Sequence, residues 1–112
     1  MDEIVLVLTT LPDRASAQQL ALALIENRAA ACVNILAECS SIYRWQGKVE
    51  TANEVPLLIK TTNAAYPRLE ATIRTHHPYE LPEIIAVPVS TGLPGYLQWV
   101  AQETQASINE SN

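Results

Sequence analysis

One β-rich stretch dominates the sequence: residues 31–62 alternate between apolar and polar side chains around a single turn signal, Gln46 followed by Gly47. A period of two on both sides of a tight turn predicts a β-hairpin. Each arm would have about 14–16 residues, whereas an ordinary strand has about five or six. At about 3.3 Å per residue, an arm would span roughly 45–50 Å. A domain of 112 residues is narrower than that, so the hairpin has to project beyond its own sheet.

The projecting half of the hairpin carries apolar side chains and unpaired edges, which a lone subunit leaves in water. These side chains are Ile42, Tyr43, Trp45, Val49 and Val55. We therefore expect an obligate oligomer in which strands pair between subunits. The alternative is a hairpin that folds back at Pro56. Because proline cannot donate to a ladder of hydrogen bonds, Pro56 is expected at a bulge or an edge.

The segment before the hairpin predicts a strand and a helix. Residues 4–9 are almost all apolar, which is typical of a strand buried on both faces. Helical spacing follows and continues to about Asn27. Asp13 is a good N-cap for this helix, and Ser16 with Gln19 offers an alternative start.

The segment after the hairpin predicts two helices and one strand. Asn63 is the expected cap of a helix that Pro78 stops. Residues 84–89 are a further apolar strand region, and Pro88 within it places that strand at an edge or a bulge. Helical spacing at residues 96–104 predicts a short terminal helix.

The order of elements is β-α-β-β-α-β-α, which predicts an α+β domain: a ferredoxin-like split βαβ sandwich with a long β-hairpin and one extra helix. Right-handed crossovers place the two main helices on one face of the sheet. Residues 1–112 form a single domain, since domains most often have about 100–150 residues. We expect the tail from about residue 105 to be mobile.

The charge of the chain argues against several classes of partner. Seven Lys and Arg residues stand against twelve Asp and Glu residues, the net charge is −5, and no Lys or Arg follows Arg74. Nucleic-acid binding depends on clustered Lys and Arg, so no nucleic acid is expected, and an anionic membrane surface is disfavoured for the same reason. No apolar run approaches the roughly 18 residues of a membrane span.

The start of the chain and its two cysteines indicate a cytoplasmic protein. Met1, Asp2 and Glu3 precede only five apolar residues, whereas a secretory signal has a basic start and a longer apolar stretch. Cys32 and Cys39 are separated by six residues, which is neither a redox pair nor a zinc pair. Both are expected to be free thiols in a reducing compartment.

The residues best suited to chemistry lie together near the predicted end of the second helix. His76 and His77 are followed by Tyr79, Glu80 and Glu83, and two prolines stiffen this segment. Imidazole and carboxylate ligands suit copper, zinc or nickel. Adjacent helical residues point about 100° apart, so the two histidines converge only if the helix ends there. The alternative is a histidine that stabilises the helix end while its neighbour packs inside.

Four motifs follow one another along the chain. They are residues 31–35 (ACVNI), 41–50 (SIYRWQGKVE), 76–80 (HHPYE) with Pro82 and Glu83, and 96–99 (YLQW). Together they resemble the CutA family of divalent-cation tolerance proteins, and the resemblance runs from Ile4 to Val100. It implies a ferredoxin-like subunit, a homotrimer, and a cytosolic protein linked to copper and other divalent cations, in many members without an established enzyme activity.

For a metal site, the resemblance implies His76 and His77 as ligands. Some members add a cysteine at the end of the first strand, where this sequence has Thr9. A hydroxyl is a poor copper ligand compared with a thiolate. The expected site is therefore weak and suits Cu(II), Zn(II) or another divalent cation rather than Cu(I).

Two other hypotheses stay open beside the metal-linked trimer. One is a PII-like signalling trimer that binds a small ligand or a partner protein without catalysis, because the fold resembles that of PII-type sensors. Polar side chains near the expected clefts between subunits are Arg44, Lys48, Glu50, Lys60, Tyr79 and Glu83. The other is an enzyme with Glu83 or His77 as acid–base. The sequence requires no enzyme, because its three glycines are too isolated for a phosphate loop and no nucleophile has an evident base beside it.

Overall fold

The computed structural model describes residues 3–106 and has an α+β fold with one antiparallel sheet and three helices, in the predicted class. The elements are β1 (Ile4–Leu11), α1 (Arg14–Glu26), β2 (Cys32–Ile35), β3 (Cys39–Trp45), β4 (Lys48–Thr62), α2 (Tyr66–His76), β5 (Ile85–Pro88) and α3 (Pro94–Glu103). The tail that we expect to be mobile from about residue 105 lies outside the described residues from position 107 onwards. No helix within residues 3–106 is long and apolar enough to cross a membrane.

Strand β4 organises the sheet, because it pairs with three other strands. The order is β2-β4-β1-β5, and every neighbouring pair is antiparallel. β1 pairs with β4 from Val55 to Thr62, and β3 pairs with β4 from Lys48 to Glu54. At 15 residues, β4 is the long hairpin arm that the sequence predicts, and the molecule extends over 50 Å along its longest axis.

A bulge divides the other arm of the hairpin into β2 and β3. Across this point three residues of the first arm oppose two residues of β4. The Pro56 carbonyl accepts a hydrogen bond from the Leu36 N–H (2.9 Å), but proline has no N–H to return. The expected bulge at Pro56 is confirmed, and β4 continues through it, so a hairpin folded back at Pro56 is not observed. Pro88 lies on the edge strand β5, also as predicted.

The two faces of the sheet are covered differently. On one face α1 and α2 pack against alternate strand residues, and the fully buried side chains there are Val7, Leu11, Leu20, Leu24, Leu57, Ile59, Leu69 and Ile73. We call the opposite face, which carries the half-buried Leu6, Leu8 and Leu58, the open face. Helix α3 contacts one end of it, where the Thr62 and Thr104 hydroxyls are 3.4 Å apart. The expected burial of β1 on both faces is thus met on the helix face, whereas on the open face it is met only at Ile4, beside Thr62.

The starts of the first two helices test the predicted caps. Asp13, rather than Ser16, begins α1: the Ser16 N–H donates to the Asp13 carboxylate (2.8 Å), which lowers the pKa of that carboxyl group. The predicted cap of α2 at Asn63 is wrong. The Thr62 hydroxyl, one residue earlier, instead accepts the hydrogen bond from the Ala65 N–H (3.1 Å).

Replacing Thr9 by valine is expected to stabilise the fold by about 1–2 kcal/mol. The Thr9 side chain is 1% exposed on the helix face of β1, and among residues 3–106 its hydroxyl has no hydrogen-bond partner. Thr9→Val therefore removes a buried polar group at almost constant volume. Denaturant unfolding at one fixed protein concentration measures the change.

Thr61→Val is the matched control for this substitution. Thr61 is equally buried, but its hydroxyl donates to the Ala29 carbonyl (2.6 Å), so this variant is expected to lose about 1–2 kcal/mol. A destabilised Thr9→Val would contradict the prediction and would mean that the Thr9 hydroxyl has a partner outside the described residues.

Candidate functional site

The two histidines lie at the end of α2, where the chain changes direction. His76 is the last helical residue, and His77 is the C-cap with an extended backbone (φ −84°, ψ 134°). Pro78 follows, and a residue that precedes a proline avoids the helical conformation. The helix therefore ends where the sequence predicts, and the neighbouring side chains enter different surroundings: His76 is exposed, whereas His77 is 8% exposed.

The ring of His77 is bonded at both of its nitrogens. Nε2 lies 2.6 Å from the Thr10 carbonyl oxygen, and Nδ1 lies 3.1 Å from the Tyr79 backbone nitrogen. A carbonyl only accepts and a backbone N–H only donates, so this ring is a neutral imidazole with its proton on Nε2. In this arrangement His77 has no free lone pair for a metal ion.

The ring of His76 is bonded at one nitrogen and open at the other. Its Nδ1 donates to the Thr72 carbonyl (2.9 Å), one helical turn earlier, and Nε2 has no partner among residues 3–106. Metal-binding histidines commonly donate one ring N–H to a carbonyl in this way while the second nitrogen binds the ion. The histidine pair therefore offers a divalent cation one imidazole nitrogen per chain.

His77 and three other residues form a closed ring of hydrogen bonds. The Thr10 and Tyr79 hydroxyls both donate to Oε2 of Glu54, at 3.3 and 2.9 Å. His77 joins the Thr10 carbonyl to the Tyr79 N–H, and its ring lies against the Tyr79 ring, with 4.7 Å between centroids. This ring, which we call the Glu54 network, ties the segment after α2 to β1 and β4.

The Glu54 network has a negative electrostatic character. Glu54 is 7% exposed, and within the described structure only the two hydroxyl groups bond its carboxylate. Burial, and then the hydrogen bond and negative charge of Glu54, raise the pKa of Tyr79 to about 12, with smaller contributions from Tyr43 and Asp13. The Tyr79 phenol is therefore protonated at neutral pH and acts as a donor to Glu54.

The other candidate metal ligands do not join the histidines. The Thr9 side chain lies in the core, on the opposite face of β1 from Thr10. Glu80 and Glu83 are exposed and form no hydrogen bond with a described residue. Across residues 3–106, no three His, Cys, Asp or Glu side chains come together as a metal cage. The donor set of one chain thus suits a loosely held cation at His76 and not an enclosed site.

Sequence reasoning missed Glu54 and Thr10, although both are central to the network. Within β4, Glu54 directly precedes the apolar residues 55–59. A charged residue next to a buried strand segment can itself be buried, and a buried charged residue is a signal of a functional or structural polar site. Thr10 gives no such signal, because a threonine is ordinary in a strand.

Glu54→Gln is expected to lower the pKa of Tyr79 from about 12 towards the usual 10.0, because the negative charge is removed while an oxygen acceptor remains. Part of the shift persists, since burial is its largest cause. Titration of the phenolate absorbance measures the change, with Tyr79→Phe to assign the transition and Glu50→Gln as a control for the loss of one charge. An unchanged Tyr79 transition in Glu54→Gln would contradict the prediction.

The same pKa shift sets the direction of the stability change at high pH. The folded protein holds the Tyr79 proton more tightly than the unfolded chain, whose pKa is 10.0. Stability from this group is therefore complete below pH 10 and is lost as the pH rises through about 12. In Tyr79→Phe, the free energy of unfolding should therefore decline less steeply between pH 10 and pH 12 than in wild type. An equally steep decline in the variant would contradict the role of Tyr79.

Comparison with known proteins identifies the family. The family model described as "CutA1 divalent ion tolerance protein" matches residues 5–103. A Thermus thermophilus protein named divalent-cation tolerance protein CutA is 46% identical over 104 residues, which are 93% of this chain and 99% of that protein. A mouse protein named CutA is 45% identical over 100 residues, and the match spans 89% of this chain but only 56% of the mouse protein.

Solved structures agree with the sequence relatives. The Thermus thermophilus structure superimposes with a TM-score of 0.88 and covers 94% of this chain and 100% of its own. A structure from Archaeoglobus fulgidus, named periplasmic divalent cation tolerance protein CutA, has a TM-score of 0.88 at 30% identity and covers 91% of this chain and 99% of its own. The chain therefore belongs to the CutA family of divalent-cation tolerance proteins.

Proposed function

We propose that the protein takes part in the response of the cell to divalent cations as a homotrimer of single-domain, ferredoxin-like subunits, and that it has no catalytic activity. The open Nε2 of His76, backed by the Thr72 carbonyl, is the observation that carries the metal contact. Family membership over residues 5–103 supports the link to divalent cations.

In this proposal the two histidines contribute unequally to the metal site. His76 supplies the ligand, and His77 holds the end of α2 against β1 through the Thr10 carbonyl. An imidazole ligand without a thiolate suits Cu(II) or Zn(II). Thr9 cannot add a second ligand, because its side chain is buried in the core. Binding at one imidazole per subunit is weak and reversible. Both ring nitrogens of His77 form hydrogen bonds with backbone groups, so His77 is also unsuited to acid–base catalysis.

The hairpin and the open face support a homotrimer. Residues 48–54 of β4 pair on one side only, with β3, and Ile42 and Val49 are 72% and 65% exposed. Unpaired strand edges and contiguous apolar surface are typical of association sites. The strand order with α1 and α2 on one face supports the ferredoxin-like description, since it matches a split βαβ arrangement.

A cytoplasmic location is also part of the proposal. Cys32 and Cys39 are both free thiols, which is typical of proteins in a reducing compartment.

Native mass spectrometry of chelator-treated protein tests the metal contact. We expect a trimer that takes up at most one Cu(II) or Zn(II) per subunit, and that loses this uptake in His76→Gln. His77→Gln is the matched control: it is expected to retain metal uptake and to unfold at a lower temperature, because two hydrogen bonds are lost. Metal uptake that survives in His76→Gln would overturn His76 as the ligand.

Ile42→Lys with Val49→Lys is expected to weaken the trimer, because both side chains are exposed apolar residues of the projecting hairpin. Leu22→Lys, at a comparably exposed position on α1, is the control and should leave association unchanged. Analytical ultracentrifugation over a dilution series measures the midpoint of dissociation. A hairpin variant that dissociates at the wild-type concentration, or a monomeric wild type, would contradict the role of the hairpin.

A further inference from the structure

We infer that the Glu54 carboxylate is a recognition site for a cation that carries N–H groups, a primary ammonium or a guanidinium, which comes from outside the chain. Glu54 lies on the open face at the base of the hairpin and is 7% exposed. The inference does not depend on metal binding at His76.

The Glu54 carboxylate has no counter-charge among the residues that the structure describes. Its two hydrogen bonds come from the Thr10 and Tyr79 hydroxyls, which are neutral, and both fall on Oε2. Oε1 has no hydrogen-bond partner in the described structure, and it is not among the side-chain atoms that are sealed from solvent. A cation that donates to this oxygen therefore forms a charge-assisted hydrogen bond without displacing either hydroxyl group.

The cations of the chain are engaged elsewhere or lie free at the surface. The guanidinium of Arg68 donates to the carbonyls of Asn27, Arg28 and Thr104, and the Lys60 ammonium donates to Asn34. Arg14 and Arg28 likewise donate to backbone carbonyls. Arg44, Lys48 and Arg74 are exposed and have no partner in the described structure. The counter-charge for Glu54 is thus absent from the described chain.

The surroundings of Glu54 suit an N–H cation better than a metal ion. Cys39 is the cross-strand partner of Glu54, but within residues 3–106 no group of three His, Cys, Asp or Glu side chains that could hold a metal ion forms there. The next cross-strand pair on the same face is Ser41 with Ala52, whose small side chains leave room, and Tyr43 follows with Glu50. An ammonium or guanidinium donates directly to a carboxylate oxygen and is attracted by aromatic faces, which Tyr43 and Tyr79 supply.

The N–H cation has two sources, and the experiment separates them. One source is a small free amine. The other is a Lys or Arg side chain of a second copy, which rests on the proposed homotrimer. Arg44 and Lys48 at the hairpin tip have no partner within residues 3–106. The two sources predict different effects of the same substitution, Glu54→Gln.

Titration with n-butylammonium at neutral pH, followed by amide chemical shifts, tests the free-amine source. We expect saturable shifts around Glu54, Thr10 and Tyr79 in wild type and in Glu26→Gln, which removes an exposed carboxylate on α1, and at least tenfold weaker binding in Glu54→Gln. n-Butanol, which lacks the charge, and tetramethylammonium, which lacks N–H, should each bind at least tenfold more weakly than n-butylammonium. These probes work on the wild-type protein, so the outcome does not depend on whether Glu54→Gln folds.

A double-mutant cycle in the ultracentrifuge tests the second-copy source. If a neighbouring side chain is the cation, n-butylammonium does not bind, and Glu54→Gln lowers trimer affinity at least tenfold. Its effect is then non-additive with Arg44→Gln or Lys48→Gln. The inference is overturned if n-butylammonium fails to bind while Glu54→Gln leaves association unchanged. It is equally overturned if Ca²⁺ or Zn²⁺, rather than the amine, produces the shifts at Glu54. Suppose that either of these two results is obtained while His76→Gln abolishes metal uptake by the trimer. The cation site at Glu54 is then refuted, and the proposed metal function at His76 is retained.

Discussion

Strand β4 loses its β1 partner partway along its length, and the architecture of the site depends on this point. Residues 55–62 pair with β1 on one edge of β4, whereas residues 48–54 pair only with β3, on the edge that β2 occupies further along. Because β1 ends opposite Val55, Glu54 is the first residue beyond that pairing. The side chains of Thr10 and Tyr79 reach the Glu54 carboxylate in the space that β1 leaves. The network is thus a consequence of where two strands end, and Pro56 with its bulge marks the same point on the opposite edge of β4.

The end of α2 separates two histidines that are adjacent in sequence. His76 keeps helical geometry, so its ring bonds the carbonyl one turn back and leaves one nitrogen open. His77 is extended because Pro78 follows it, and this turns its ring towards β1. A single change of backbone conformation therefore leaves one imidazole with an open nitrogen and makes the other a structural link. The pair matches the alternative of a helix-end histidine whose neighbour packs inside. Metal binding at His76 stays a proposal.

Local rules predict the elements of this fold because the relevant forces act within a few residues. Asp13 caps α1 through Ser16 N–H, and a proline without an N–H demands a bulge at Pro56. The rule fails at Asn63 because α2 begins only at Tyr66, so that Ala65 occupies the N-cap position and no side chain among the described residues caps the helix. The Glu54 network was beyond such rules, since its hydroxyl donors lie 44 and 25 positions from Glu54 along the chain. Family resemblance supplies the histidine pair, but only backbone geometry decides which ring nitrogen is free.

Two features of the single chain point to something outside it: the exposed apolar side chains of the hairpin and the Glu54 carboxylate at its base. Exposed apolar side chains on the hairpin forgo about 1.5–3 kcal/mol each relative to full burial. The Glu54 carboxylate holds two hydroxyl groups at Oε2 and leaves Oε1 without a partner in the described structure. Covering the hairpin relieves the first cost, and an N–H cation at Oε1 supplies the missing hydrogen bond and counter-charge. When that cation belongs to a second copy, folding and association are one linked equilibrium, and the apparent stability of the subunit rises with protein concentration.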